Sequence, residues 1–417
     1  MIKTVLLSLI FVQILLSQNK ILIPMDVTQT DHLKAYGVTF RALENGVISD
    51  WLLNYRGGSF LLDYNDRVVV DCRIQGVSFS EISSSQAISI LSEVQSEDNN
   101  TDVVRLEKAP KIAVYVPPNF LPWDDAVTLA LEYAGVPYEK YWNEEILRGD
   151  LEKVDWLHLH HEDFTGQYGK FYSSFSNAQW YIENQLRFEA DAKRLGFRKV
   201  SEMLLAVANT IKGFIGNGGF LFAMCSATDS YDIALAAEGV DICAPMFDGD
   251  AANPNAQDLL DFTRTIAFEN FILETNPYIY EYSDIDIQPV EILDYQNDYF
   301  TLFDFSAKYD PVPTMLTQNH ANVIKGFMGQ TTMFRRNRIK NSVIILGERR
   351  GTDQIKYIHG NFGRGFFTFY GGHDPEDYQH AVNDPPTELT LHKNSPGYRL
   401  ILNNILFPAA KKKKQKT

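Results

Sequence analysis

The sequence predicts an α/β protein: a parallel sheet with helices on both faces, preceded by a smaller α/β module and interrupted by one long insertion. Three observations predict it. From residue 110 onward, short apolar runs such as "KIAVYVPP" and "FLFAM" alternate with amphipathic stretches such as "DDAVTLALEYAG" and "VSEMLLAVANTIKGFI", the rhythm of strand, crossover helix and parallel strand. A polar, acidic segment, "QSEDNNTDVVRLEKAP", separates this region from what precedes it. The length, 417 residues, exceeds what a single core usually serves.

The first 18 residues hold an apolar run from Thr4 to Leu16 behind one lysine, with a small residue, Ser17, after it. That layout is expected of a secretory signal peptide, too short to span a bilayer comfortably, and the protein is expected to be exported, periplasmic or extracellular. The N-terminal module with its linker occupies 20–105. Its expected elements are a strand "KILIPM", a helix "TDHLKAYGVTFRAL", strands "SDWLLNY", "GSFLLDY" and "DRVVVDC", and a helix "SSQAISILSEV".

The main domain is expected over 106–408. After "KIAVYVPP", the helix "DDAVTLALEYAG" aligns Val127, Ala130, Leu131 and Ala134 on one face, with Asp124 as cap and Gly135 as stop. "VPYEKYW" and "VDWLHLHHEDF" supply two more strands, and a long helix then leads through "GNGG" to "FLFAM", Cys225 and the helix "SYDIALAAEG". Residues 245–330 lose the rhythm and are expected to be an insertion with short strands "YIYEY" and "PVEILDY". Strands resume with "SVIILGER", "QIKYIHG" and "GFFTFYGG", and the helix "GYRLILNNILF" closes the domain, leaving a basic tail at 409–417.

Composition narrows the function. The net charge is −15 even with five lysines in the tail, so the body repels phosphate backbones and no nucleic-acid partner is expected. The lysine tail allows only weak contact with an anionic membrane surface. Three cysteines in a chain expected to be exported cannot all pair, so at least one thiol is free. Cys243 in "VDICAPM" and Cys72 in "VVVDCRI" are expected in strands as small core residues.

The candidate chemistry centres on "FAMCSA". A strand running directly into a helix forces its junction residue into a sparsely populated backbone conformation, and Ala223 and Ala227 flank Cys225 with small side chains. The helix N-terminus favours a thiolate, and its amides, with Ser226 next to the thiol, are suited to a developing oxyanion. "HLHHED" at 158–163 ends the third strand of the main domain. Alternation places His158 and His160 on one face and His161 on the other, and His160, His161 and Glu162 are candidate substrate-binding groups in the crevice that holds Cys225. His, Glu and Asp also suit zinc, but the expectation is no metal and no cofactor. "MFDGDAANPNAQD" lacks the spacing of a calcium loop and is expected to be a polar loop. Arg364 is expected at a hairpin turn.

"GNGGFLFAMCSA" resembles the nucleophile elbow of the class I glutamine amidotransferase-like superfamily, and "GRGFFTFYGGHDPEDY…GYRLILNNILF" is similar to the closing segment of its ThuA-like branch. The likeness covers about half the chain. It implies a flavodoxin-like sheet with the site at the strands' carboxyl ends, Cys225 as nucleophile and His373 as its proton partner. The family's triad acid lies two residues beyond the histidine. Here Asp374, Pro375 and Glu376 follow His373, so the acid is either displaced by one position, to Glu376, or replaced by Asp374, which is otherwise a candidate substrate-binding group. The whole chain also resembles secreted bacterial proteins labelled asparagine synthetase B, through "ILIPMDVTQTDHLKAYG", "LLNYRGGSF" and "FAMCSATDSYDIALAAEGVDI". A synthetase of that name needs an N-terminal cysteine and an ATP loop, whereas Ile2 follows Met1 and no Ser-Gly-Gly loop occurs. The function expected is therefore a cysteine-dependent hydrolase or transferase acting on a small amide or ester, or a non-catalytic binder of a carbohydrate or cell-envelope fragment on the same scaffold.

Overall fold

The structure is a computed structural model that describes residues 19–118, 125–287, 298–310, 321–379, 381 and 384–410. The signal-peptide segment, the lysines of the tail, Asp124, and the expected strand "PVEILDY" lie outside the described residues. Among the described residues, no helix is long and apolar enough to cross a membrane.

The N-terminal module is an antiparallel sheet with helices. In chain order it comprises β1 (Lys20–Ile23), α1 (His32–Glu44), β2 (Ser49–Leu53), β3 (Ser59–Asp63), α2 (Asp66–Gln75), β4 (Ser80–Ile82), α3 (Ser84–Gln95) and β5 (Asp102–Leu106). The strand order is β4-β1-β3-β2-β5. Two expectations change here. "DRVVVDC" is not a strand but helix α2: the Asn65 side chain caps it by accepting from the amide of Arg67, Gly76 ends it with φ 70°, and Val68, Val69 and Cys72 bury one face while Val70 faces solvent. Cap chemistry at both ends outweighs the strand preference of three consecutive valines. The second half of the expected linker is β5, paired antiparallel with β2 from Leu53↔Asp102 to Ser49↔Leu106.

The main domain continues with β6 (Ile112–Tyr115), α4 (Ala126–Ala134), β7 (Glu139–Tyr141), α5 (Asn143–Arg148), β8 (Trp156–Leu159), the short α6 (Tyr172–Phe175), α7 (Gln179–Arg194), α8 (Val200–Gly216), β9 (Phe220–Met224), α9 (Ala227–Ala236) and the short α10 (Pro245–Asp248). It then adds β10 (Tyr299–Leu302), β11 (Val323–Lys325), β12 (Phe334–Arg335), β13 (Ile344–Glu348), β14 (Gln354–Phe362), β15 (Gly365–Tyr370) and α11 (Pro396–Leu406). Its sheet runs β11-β10-β13-β14-β15-β9-β8-β6-β7, with β12 paired to β14. The five strands β7, β6, β8, β9 and β15 are mutually parallel. Counted along the chain their order is 2-1-3-4-5, the doubly wound arrangement whose ligand crevice lies outside the carboxyl ends. The flank from β15 to β11 is antiparallel, a feature that periodicity alone does not specify.

Alternation along β9 shows why helices cover both faces. Phe220, Phe222 and Met224 join the core beneath α4 and α11, whereas Leu221 and Ala223 join the core beneath α8 and α9. The first of these cores is continuous with that of the N-terminal module, so α1 packs on α4 and α11 at once. The contact is also polar: Arg399, fully buried on α11, donates to the carbonyls of Met25 (3.2 Å) and Gly57 (2.7 Å).

Three further expectations differ. "YIYEY" forms turns and bends rather than a strand, with the isolated bridge Leu273↔Ser283 on either side of it. Cys243 sits buried in a loop, its thiol donating to the Thr165 carbonyl, and Cys72 lies on a helix; both are core residues, as expected, on other elements. Helix α7 buries only Tyr181 and Ala192, too thin an apolar face for periodicity to reveal.

Candidate active site

The junction between β9 and α9 has the expected strain. Cys225 has φ 49°, a left-handed conformation that costs a non-glycine residue on the order of 1 kcal/mol or more. Its amide donates to the carbonyl of Gly372 (3.1 Å), whose own φ of 89° turns the chain at the end of β15. Gly372 in turn donates to the carbonyl of Thr331 (2.7 Å), and His373 to that of Met328 (2.9 Å). A close approach makes Gly329 necessary here, since a Cβ on it would lie 2.7 Å from the His373 nitrogen. Thus the stretch 328–332, at the end of the expected insertion, straps the elbow to the end of β15.

That strap closes over the thiol. Cys225 is 3% exposed, and burial pushes its thiol up to about 11 although the amides of Gln330, Ser226 and Thr331 surround the sulfur and act the other way. The expected lowering by the helix terminus is therefore outweighed by desolvation, which penalises the charged form most when water is excluded.

Behind the elbow lies a second buried polar group that the sequence pattern does not announce. Asp229, one turn along α9, accepts from Thr331 Oγ1 (2.9 Å) and is pushed up to about 7 by burial. Asp286 accepts from the Thr332 amide (3.0 Å) and is raised well above the usual carboxyl range by burial and by Asp229. Lys356 on β14 donates to the carbonyls of Phe327 (2.5 Å) and Thr332 (2.9 Å), and burial brings it down to about 7.

The histidines converge on the other side. Trp156, His158 and His160 alternate onto the face of α4, and Asp125 caps that helix by accepting from Val127 (2.7 Å) and Thr128 (3.2 Å). His158 Nδ1 faces the Phe222 carbonyl (3.1 Å), and its Nε2 lies 3.1 Å from the Asp125 carboxylate. His160 Nδ1 lies 3.4 Å from Asp125 Oδ1, and its Nε2 lies 3.0 Å from His373 Nδ1. Burial would raise Asp125, but His158 and His160 hold it well below the usual carboxylate range. Burial also holds His160 itself well below the ordinary imidazole value. His161, expected on the opposite face, joins the cluster because the strand has ended at Leu159: its ring centroid is 5.3 Å from that of His160 and 5.9 Å from that of His373.

The remaining expected residues separate. Glu162 is half-buried, accepts from the His160 amide (2.8 Å), and is raised mainly by desolvation. Ser226 is fully buried at the start of α9. Glu376 pairs with His392 (3.0 Å) instead of completing a triad, and Asp374 is held by the hydroxyl of Tyr398 (2.7 Å). The carboxylate that reaches the histidines is Asp125, one residue from the cap the sequence suggested. Its signal was present: an acidic residue at the carboxyl end of a parallel strand, opening the next helix. Elsewhere, Lys199 binds Asp241, Asp248 (2.9 Å) and Asp250, so an ammonium stands among the acidic groups of the "MFDGD" loop. Arg364 lies in the β14–β15 turn, as expected.

Asp125, His160, Cys225 and His373 thus follow the carboxyl ends of four neighbouring strands, β6, β8, β9 and β15. No family model matches the chain, and no curated protein matches it. Among solved structures, it is similar to the cytoplasmic protein STM3548 from Salmonella typhimurium, at 8% identity and TM-score 0.35, over 72% of this chain and 100% of that one. A second is the cytoplasmic protein STM1381 from Salmonella typhimurium LT2, at 10% identity and TM-score 0.35, with the same coverage. A third is Gan42B, a GH42 β-galactosidase, at 13% identity and TM-score 0.27, over 64% of this chain and 28% of that one.

Proposed function

We propose that the protein is a hydrolase or acyl transferase for a small amide or ester, in the manner of the glutamine amidotransferase-like proteins its elbow resembles. The observation that carries this reading is the left-handed Cys225 at a strand-to-helix turn, a conformation retained at a cost and characteristic of presented nucleophiles. In the reaction, Cys225 Sγ attacks the carbonyl carbon, its proton passes to His373, and that imidazole gives the proton to the departing amine or alcohol; water or an acceptor nucleophile then takes the acyl group from sulfur, its proton returning through His373 to the thiol. Amides around the sulfur supply donors for the oxyanion. The thiol rests protonated, and ionises as its proton is taken. Asp125, acting through His160, orients His373 in the place expected for Glu376. The apolar leader at 4–16 supports a site of action outside the cytoplasm.

Alkylation by iodoacetamide at neutral pH, followed by peptide mass spectrometry, tests the reading. Cys225, 3% exposed and resting protonated, is expected to react slowly in the folded protein and at least tenfold more slowly still in His373→Ala, and release of ammonia or alcohol from small amides and esters is expected to vanish in Cys225→Ala. Labelling of Cys225 only after unfolding favours the second reading, a binding protein on the same scaffold, for which the raised thiol pKa is the supporting observation.

A further inference from the structure

His160, His161 and His373 come from two different strand ends, and one ring nitrogen of each lies within 4.8 Å of the others. We propose that these three side chains bind one divalent transition-metal ion of the zinc class. Zinc bonds imidazole nitrogen at about 2.0–2.1 Å, which separates two ligand nitrogens at a tetrahedral centre by about 3.3 Å. His160 Nε2 and His373 Nδ1, at 3.0 Å, need only a small outward movement to reach that separation.

The surroundings of His160 fit a ligand. Asp125 Oδ1 lies 3.4 Å from its Nδ1, outside hydrogen-bond geometry, while its Nε2 faces His373 Nδ1 at 3.0 Å, so a carboxylate stands behind the ring as an outer partner and Nε2 is the nitrogen directed at the cluster. Asp125 is that outer partner and not a ligand, because Oδ1 already accepts from two helix amides. His161 is the partly exposed member, which gives an ion a side from which to enter and leaves a coordination position for water or substrate. Two other clusters of potential ligands do not have these properties. Asp125, His158 and His160 share the capping carboxylate; in the cluster of Asp241, Cys243 and Asp248, both carboxylates already bind the Lys199 ammonium and the thiol donates to the Thr165 carbonyl.

Lone pairs given to a metal are not available to a thiol, so proton transfer through His373 belongs to the metal-free protein. Metal binding is measured without turnover and stands or falls separately from the hydrolase reading.

The test uses the full chain stripped with chelator, titrated with Zn2+ by calorimetry and with Co2+ by visible absorption. The wild type is expected to bind one ion per chain and to develop the absorption of low-coordinate cobalt. His161→Ala and His373→Ala are each expected to weaken binding at least tenfold, whereas His392→Ala, away from the cluster, and Cys225→Ala bind as the wild type does. The His161 variant guards against misfolding, since that side chain is partly exposed. Absence of stoichiometric binding, binding unchanged in the His161 and His373 variants, or binding lost in Cys225→Ala overturns the proposal.

Discussion

Nε2 of His160 lies 3.0 Å from Nδ1 of His373, across 213 positions of sequence. Parallel topology makes this meeting ordinary: β8 and β15 both neighbour β9, so residues just beyond their carboxyl ends flank the elbow from opposite sides. Each ring is held differently. His160 has the Asp125 carboxylate 3.4 Å from its Nδ1, and His373 is held through its amide on Met328. The site is therefore sensitive to groups that touch no substrate.

Asp125 is the first of these. Replacing it with alanine removes the cap of α4 and the carboxylate beside two buried imidazoles. Loss of a cap costs about 1 kcal/mol and loss of a buried carboxylate's hydrogen bond to an imidazole about 1–3 kcal/mol. Asp125→Ala is expected to lose several kcal/mol in urea denaturation, and Asp125→Asn, which can still cap, about half as much. Equal stability of the alanine variant and the wild type contradicts the assigned contacts.

The backbone of Cys225 makes a prediction independent of chemistry. Glycine adopts φ 49° without strain, whereas a β-branched residue resists it. Cys225→Gly is expected to remain within about 1 kcal/mol of the wild type, lost packing offsetting relieved strain, and Cys225→Val to lose about 2–4 kcal/mol. A valine variant as stable as the glycine one rules out a left-handed junction.

Much of this was legible in the sequence. Strands β6, β8, β9 and β15 with their helices follow from periodicity, and small residues around Cys225 marked the elbow. What escaped depends on distance along the chain. No pattern in "DPEDY" shows that Glu376 turns to His392, or that Asp374 is claimed by Tyr398 of α11. The raised thiol pKa has the same origin, because it comes from burial beneath the strap 328–332, a segment with no regular rhythm, and prevails over the Gln330 and Thr331 amides that act the other way. Helix α2 failed for a local reason: valine content pointed to a strand, and the Asn65 and Gly76 caps prevailed in the fold.

Arg399 tests how the two modules depend on each other. Fully buried, it serves carbonyls on the N-terminal module from α11 of the main domain. Arg399→Leu keeps the apolar volume but removes the donor to the buried Gly57 carbonyl, at about 1–3 kcal/mol, while the Met25 carbonyl keeps His32 Nε2 (2.9 Å). The wild type is expected to unfold in one calorimetric transition, because α1, α4 and α11 share a core, and the variant in one transition at lower temperature. Separate transitions in the wild type refute a shared core.

The pH dependence follows from two histidines outside the site. Burial brings His32 down to about 4, reinforced by Arg399, and His359 down to about 3. Unfolded, each titrates near 6.5. Below that pH the unfolded chain binds protons that the folded chain refuses, so the stability present above 6.5 is lost as pH falls toward the folded values. Asp229, raised to about 7, acts with the opposite sign, since the folded form holds a proton that the unfolded carboxylate releases. Comparison with single variants separates the two. Between pH 7 and pH 5 the wild type is expected to lose about 2 kcal/mol relative to His359→Asn, about 1.4 kcal/mol for each unit below 6.5. The asparagine amide does not titrate in that range, so parallel stability curves for the two proteins show that the ring is not held neutral by burial.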